Sequence, residues 1–252
     1  MIDLSGKVVL VTGGSRGIGA ATVRKVVATG GHAIIHYGSN AAAATSLRDE
    51  LGGDRVYLCR ADLLVVAETE QLWEDAVAWR DRIHVLVNNA GVYEKCPLQW
   101  PLEQWLAGWE RTMRINLISA AQLCRRAVQH FREIGGGILI NVSSRAGHRG
   151  DSIEHLQYGA SKAGMLALNR SIARNCAKDN ILAYGVAPGF VKTDMVQTVI
   201  EEQGLEKMSA LYPTGRVTTP EEVASVIVFL ASGIAPQTTG NTIDLSGAAD
   251  VR

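Results

Sequence analysis

The feature that most constrains this chain is its opening, where a strand, a glycine-rich turn and a helix follow one another without a break. Val8-Val9-Leu10-Val11 is an apolar, largely β-branched run that ends in Thr12-Gly13-Gly14-Ser15-Arg16-Gly17-Ile18-Gly19. A helical pattern then runs from Ile18 to about Ala28 and stops at Gly30-Gly31. Glycines at 13, 17 and 19 permit a tight turn and a close backbone approach to a pyrophosphate. The helix that follows aims its free amides and positive dipole end at the same place. The spacing is G-x-x-x-G-x-G, and its position between a first strand and a first helix gives it weight.

The rest of the chain repeats the opening's rhythm. Apolar runs recur at Ala33-Ile34-Ile35, Val56-Tyr57-Leu58, Val85-Leu86-Val87, Ile138–Val142 and Leu182–Val186. Continuous rather than alternating apolar runs suit strands buried on both faces, as in a parallel sheet. Helix-length stretches separate them, at about 41–51, 68–81, 103–131 and 159–178. That alternation predicts a doubly wound α/β sheet with helices on both sides. No linker, charge block or repeat divides residues 1–252, so one domain is expected, with a substrate lid over 189–215, where Gly189, Gly204, Pro213 and Gly215 interrupt regular structure.

Charge excludes several partners. Lys plus Arg and Asp plus Glu are 25 each, which leaves no basic excess for nucleic acid or an anionic membrane. The segment Met1–Lys7 carries an early acid and no apolar core, so no signal peptide is expected, and no run reaches a membrane span. A cytoplasmic enzyme is the expectation. Near-neutral charge also favours self-association. The four cysteines, Cys59, Cys96, Cys124 and Cys176, lack zinc or redox spacing and read as packing thiols, with Cys96 a candidate pocket residue. His148 and His155 have no metal spacing, and no catalytic metal is expected.

The second strand ends His36-Tyr37-Gly38-Ser39-Asn40, without the acid that usually holds the ribose hydroxyls of NAD. Arg16 lies in the glycine turn, within reach of a 2′-phosphate, and Ser39 and Asn40 add neutral donors. These features favour NADP(H) over NAD(H). Gly13–Gly17 also matches G-x-S-x-G, a hydrolase nucleophile elbow that would make Ser15 the nucleophile. A hydrolase builds part of its sheet upstream of that elbow, and here only one short strand precedes it.

Tyr158-Gly159-Ala160-Ser161-Lys162 places a phenol and an ammonium on one helix face. A lysine cation, with the positive ring of an oxidised nicotinamide, is expected to lower the phenol's pKa from about 10 and fit it for proton transfer. Asn88-Asn89-Ala90-Gly91, Asn141-Val142-Ser143-Ser144 and Pro188-Gly189 all follow strands, where an open α/β sheet binds its ligand, and Asn116 lies within the long helix.

Taken in order, these motifs resemble the short-chain dehydrogenase/reductase family from Gly6 to about Gly247. Within it the chain is most similar to 3-oxoacyl-acyl-carrier-protein reductases, supported by Gly215-Arg216-Val217, Pro220–Ala224 and Thr239–Thr242. The resemblance implies a Rossmann-type, seven-stranded, mostly parallel sheet. It also implies an NADP(H)-dependent oxidoreductase that moves hydride between nicotinamide and a carbonyl or secondary alcohol. Tyr158 would pass the proton, and Lys162 would hold the nicotinamide ribose. Ser144 would bind the substrate oxygen, and Asn116 would keep a helix kink and a water. Asp62 would meet the adenine amino group, and Asn89 and Ala90 the adenosine ribose. Val191 and Thr193 would meet the carboxamide. The cofactor contacts expected overall are Gly13, Ser15, Arg16, Gly17, Ile18, Gly19, Gly38, Ser39, Asn40, Asp62, Leu63, Asn89, Ala90, Gly91, Tyr158, Lys162, Pro188, Gly189, Val191 and Thr193.

Family members pair through the long helix and the helix after Tyr158, so a homodimer or homotetramer is expected. The loop from Arg145 to Gln157 is polar and reads as either a solvated loop or a pocket wall for a polar substrate. Trp105 and Trp109 have helical spacing and read as packing or interface residues. A dinucleotide-binding sensor that has lost turnover is the alternative. The presence of Asn116, Ser144, Tyr158 and Lys162 argues against it.

Overall fold

The computed structural model describes residues 2–193 and 204–250. Among these, seven strands form a single sheet: β1 (Val8–Val11), β2 (His32–Tyr37), β3 (Val56–Arg60), β4 (Val85–Asn88), β5 (Gly137–Val142), β6 (Ile181–Pro188) and β7 (Thr242–Leu245). The order is 3-2-1-4-5-6-7, and every neighbouring pair is parallel. This is a single-domain Rossmann-type fold. The sequence runs account for the first six strands; β7 is only half-buried and has no comparable run.

Alternation along each strand sends side chains into two cores. Val9 and Val11 of β1 and Ile35 of β2 pack under α1 (Gly17–Ala28), α2 (Ala41–Leu51) and the C-terminal helix. Val8, Leu10 and Ile34 point the other way, under α3 (Val66–Arg80) and the helices that follow β4. Each fully buried Val, Leu or Ile contributes about 1.5–3 kcal/mol. Two-faced burial is why the strands read as unbroken apolar runs.

The stretch predicted as one helix over 103–131 is longer and not regular. It consists of α4 (Leu102–Met113), a π turn over Arg114–Ile118 and α5 (Ser119–Ile134). Asn116 sits inside the π turn, and such insertions often mark functional positions. Next come a short α6 (Ala146–Arg149) and then α7 (Leu156–Cys176), which carries both Tyr158 and Lys162. A further turn of helix spans Leu205–Ser209. Helix α8 (Pro220–Ser232) opens on a full capping box, with Thr219 and Glu222 exchanging bonds and Pro220 in the first turn. Of the predicted lid, 194–203 lie outside the described residues.

Candidate active site

Loops leaving the carboxyl ends of β1 to β6 enclose a cleft of about 930 Å³. It straddles the point where β1 and β4 lie side by side and the strand order reverses, the expected ligand position in a doubly wound sheet. The sequence-predicted site residues line this cleft, except Gly19 and Asn116, which stand behind it.

The glycine turn forms one end. Gly13 and Gly17 have φ of +61° and +52°, values that side chains rarely tolerate. Gly19 faces inward: a Cβ there would lie 2.1 Å from the Gly13 carbonyl oxygen. Asn89 Nδ2 donates to the carbonyls of Thr12 (2.9 Å) and Gly13 (3.1 Å), tying the turn to the segment after β4. Arg16 occupies the N-cap position of α1 without a side-chain capping bond and is exposed. Asn40 serves the protein as well as the cleft, since its Oδ1 accepts from Ala43 N at 3.0 Å and starts α2. Sequence reasoning missed Arg60, the last residue of β3, which also lines this end. Register places Arg60 beside Tyr37, and their inner neighbours Leu58 and Ile35 belong to the core on the α1 side. Arg60 therefore lies on the α1 side of the sheet, and Arg16, at the head of α1, lines the same cleft. That signal was available only once β3 had been paired with β2. His36, Tyr37, Glu94, Arg111, Ile115 and Val142 also line the cleft unforeseen.

At the other end stand Ser144, Tyr158 and Lys162. Ser144 hydrogen-bonds the Tyr158 hydroxyl. Lys162 Nζ donates to the Val142 carbonyl at 2.9 Å and lies 5.8 Å from the Tyr158 ring centre. Burial pushes the Tyr158 phenol up to about 12; the Ser144 bond opposes this and the Asp151 charge adds to it. Burial likewise pulls Lys162 down to about 8. In the protein alone, burial outweighs the lowering that the sequence expectation drew from the lysine together with an oxidised nicotinamide. The ammonium is itself desolvated and turned toward a carbonyl, so burial dominates both values. Asn116 Oδ1 accepts from Val92 N (2.8 Å), while its Nδ2 donates to Val92 O (3.0 Å) and Ser161 Oγ (3.1 Å). Its side chain pins the segment after β4 to α7.

The 145–157 segment is neither solvated throughout nor a wall of the cleft. Arg145 lies over the rings of Phe190 (5.1 Å) and Tyr212 (5.3 Å) and faces Asp250 at 3.5 Å. His155 is buried and stacks on Tyr93 at 4.0 Å, and Tyr93 in turn meets Tyr158 edge-on at 4.8 Å. His155 thereby braces the start of α7, while Arg145 is held against the segment after β6 and the C-terminal end. An ion pair of Glu94 and Arg111, at 3.1 Å, lines the cleft instead. Cys96 lines no part of the cleft; it is buried against Gly108. All four cysteines are buried and free. Trp105 and Trp109 pack on each other at 5.2 Å. Ser15 has no histidine partner among the described residues, and both ring nitrogens of His36 are held by backbone groups. The nucleophile-elbow reading fails on that ground.

A family model described as Enoyl-(Acyl carrier protein) reductase matches residues 13–247. The chain is 33% identical to the 3-oxoacyl-(acyl-carrier-protein) reductase FabG of Aquifex aeolicus, over 98% of each chain. It is also 33% identical to a D-threitol dehydrogenase of Mycolicibacterium smegmatis, covering 99% of this chain and 95% of the relative. In fold it is similar to a 3-ketoacyl-(acyl-carrier-protein) reductase from Brucella melitensis, solved with NADH. The TM-score is 0.89 at 24% identity, over 99% of this chain and 100% of that one.

Proposed function

The chain belongs to the short-chain dehydrogenase/reductase family, whose members act on CH–OH and keto groups with a nicotinamide cofactor, and we propose that it is an NADP(H)-dependent ketoreductase or alcohol dehydrogenase for a 3-oxoacyl or similar keto substrate. The supporting observation is the convergence of Ser144, Tyr158 and Lys162 in one cleft with the glycine turn.

The cleft suits a dinucleotide. Left-handed Gly13 and Gly17 shape a turn at the start of α1, where phosphate oxygens find free amides. Two guanidiniums, Arg16 and Arg60, and no acid after β2 favour a 2′-phosphate over bare ribose hydroxyls. Asp62, Leu63, Asn89, Ala90 and Gly91 would hold the adenosine side; Pro188, Gly189, Val191 and Thr193 would hold the nicotinamide side.

When bound, the nicotinamide supplies or accepts the hydride. The protein's own groups manage the oxygen. Ser144 donates a hydrogen bond to the substrate carbonyl, and Tyr158 passes its proton to that oxygen as the carbon receives hydride. In the reverse direction Tyr158 accepts the proton from the alcohol. Lys162 holds the nicotinamide ribose. The positive charge of an oxidised ring would offset the burial that raises Tyr158. Asn116 keeps the segment after β4 and α7 in register, so that Gly91 and Lys162 stay beside each other.

The same reading makes the protein a cytoplasmic homotetramer or homodimer acting on small molecules. Exposed Leu102, Leu106 and Ile118 on the α4 side are consistent with a subunit contact there. No helix among the described residues is long and apolar enough to cross a membrane.

The test is a spectrophotometric screen at the nicotinamide band, with both cofactors, against β-keto esters, sugars, steroids and quinones. Turnover with NADPH exceeding that with NADH is expected. Equal or better use of NADH would overturn the cofactor preference. Binding of a dinucleotide without turnover on any carbonyl would favour the sensor alternative.

A further inference from the structure

His36 lies on β2 and is 3% exposed, and its ring joins two walls of the cleft. Gly13 N donates to its Nδ1 at 3.1 Å. Its Nε2 lies 3.1 Å from the Ala61 carbonyl oxygen. A backbone N–H only donates and a carbonyl only accepts, so the ring must be the neutral tautomer protonated on Nε2. The same residue's carbonyl accepts from Gly14 N at 2.9 Å. One side chain thus ties the phosphate-binding turn after β1 to the exit of β3, just ahead of Asp62. Burial pulls the imidazole down to about 4, so both bonds persist through neutral pH.

We propose that His36 is a positioning residue for the dinucleotide, fixing the separation between the glycine turn and the adenine-side wall. Cofactor affinity depends on it, and the chemical step does not. Glycines at 13 and 17 give the turn its shape but also its freedom, since glycine loses more conformational entropy on ordering than other residues. A buried brace on Gly13 N removes that freedom before ligand arrives, and preordering a site raises affinity. Without the ring, Gly13 N and Ala61 O each lose a buried partner, which is costly unless the walls shift to find another. The inference rests on the nicotinamide reading of the cleft.

The test uses His36→Leu, His36→Asn and His36→Gln. Asparagine can keep an acceptor toward Gly13 N, and glutamine can keep a donor toward Ala61 O; leucine keeps neither. NADPH affinity is read directly by titrating nicotinamide fluorescence, beside KM and kcat at saturating cofactor. His36→Leu is expected to weaken NADPH binding at least tenfold, with kcat within threefold of wild type. His36→Asn should recover most of the loss. Leucine binding NADPH within twofold of wild type would overturn the proposal, as would a fall in kcat with affinity unchanged. If the leucine variant does not fold, the other two decide: wild-type affinity in both overturns it, and intermediate affinity with retained kcat sustains it. Failure of the wild-type protein to bind either nicotinamide dinucleotide would instead overturn the cofactor reading itself.

Discussion

Gly19→Ala should damage the glycine turn after β1 severely. The added Cβ would lie 2.1 Å from the Gly13 carbonyl oxygen and 2.8 Å from Asn89 Nδ2. The first neighbour is backbone, so the turn itself must move. Asn89 holds that turn through two bonds, of 2.9 and 3.1 Å, and both are strained by the shift. Overpacking of this kind costs about 1–3 kcal/mol, and a weakened hydrogen bond adds about 1 kcal/mol. A loss of about 2–4 kcal/mol corresponds to a Tm decrease of roughly 4–16 °C in a chain this size. The same displacement should weaken NADPH binding. Gly53→Ala is the control: nothing lies within 4 Å of its Cβ, and a change within about 0.5 kcal/mol is expected. Calorimetric melting and a fluorescence titration of NADPH read both effects. A Gly19→Ala protein that melts with wild type and binds NADPH equally would refute the tight-turn argument.

Two further predictions concern charge. Arg16→Ala and Arg60→Ala should each raise KM for NADPH about tenfold, as expected from loss of an exposed charge-assisted bond, with KM for NADH changed less than twofold. Equal effects on both cofactors would show that the guanidiniums do not read a 2′-phosphate. Lys162 is pulled down to about 8 in the folded protein, against 10.5 ordinarily. The unfolded chain therefore binds more protons between those values, and stability rises with pH across that window. Lys162→Met should abolish turnover, flatten that rise and leave urea stability at neutral pH undiminished. A midpoint difference between wild type and variant that stays constant from pH 8 to 10 would contradict the desolvation of Lys162.

The cleft was legible where chemistry demands particular residues in a local pattern. The turn Gly13–Gly19 and the Tyr158–Lys162 pair are visible in the spacing, the remaining site positions follow from the family resemblance, and nearly all of them meet in one cleft. What the sequence did not disclose depends on register between distant segments. Arg60 and His36 gain their meaning from β3 lying beside β2. The π turn at Asn116 leaves no mark in the apolar periodicity; only the family resemblance pointed to a kink there. β7 is short and half-buried, so no continuous run announces it. The polar residues of 145–157 looked like candidates for the cleft because charge content shows which residues need partners, but not that Asp250, Phe190 and Tyr212 supply them. The burial that raises the phenol's pKa in the protein alone was hidden for a related reason: sequence shows the neighbouring ammonium, whereas burial is a property of the assembled fold.

Proton transfer by Tyr158 is tested most directly with Tyr158→Phe, which removes one oxygen and keeps the ring against Tyr93. Single-turnover reduction of whichever ketone the wild type accepts, measured with NADPH bound, should slow by about 10²–10⁴, while the NADPH dissociation constant stays within twofold. Reduction at a near-wild-type rate by the phenylalanine variant would mean that another group delivers the proton.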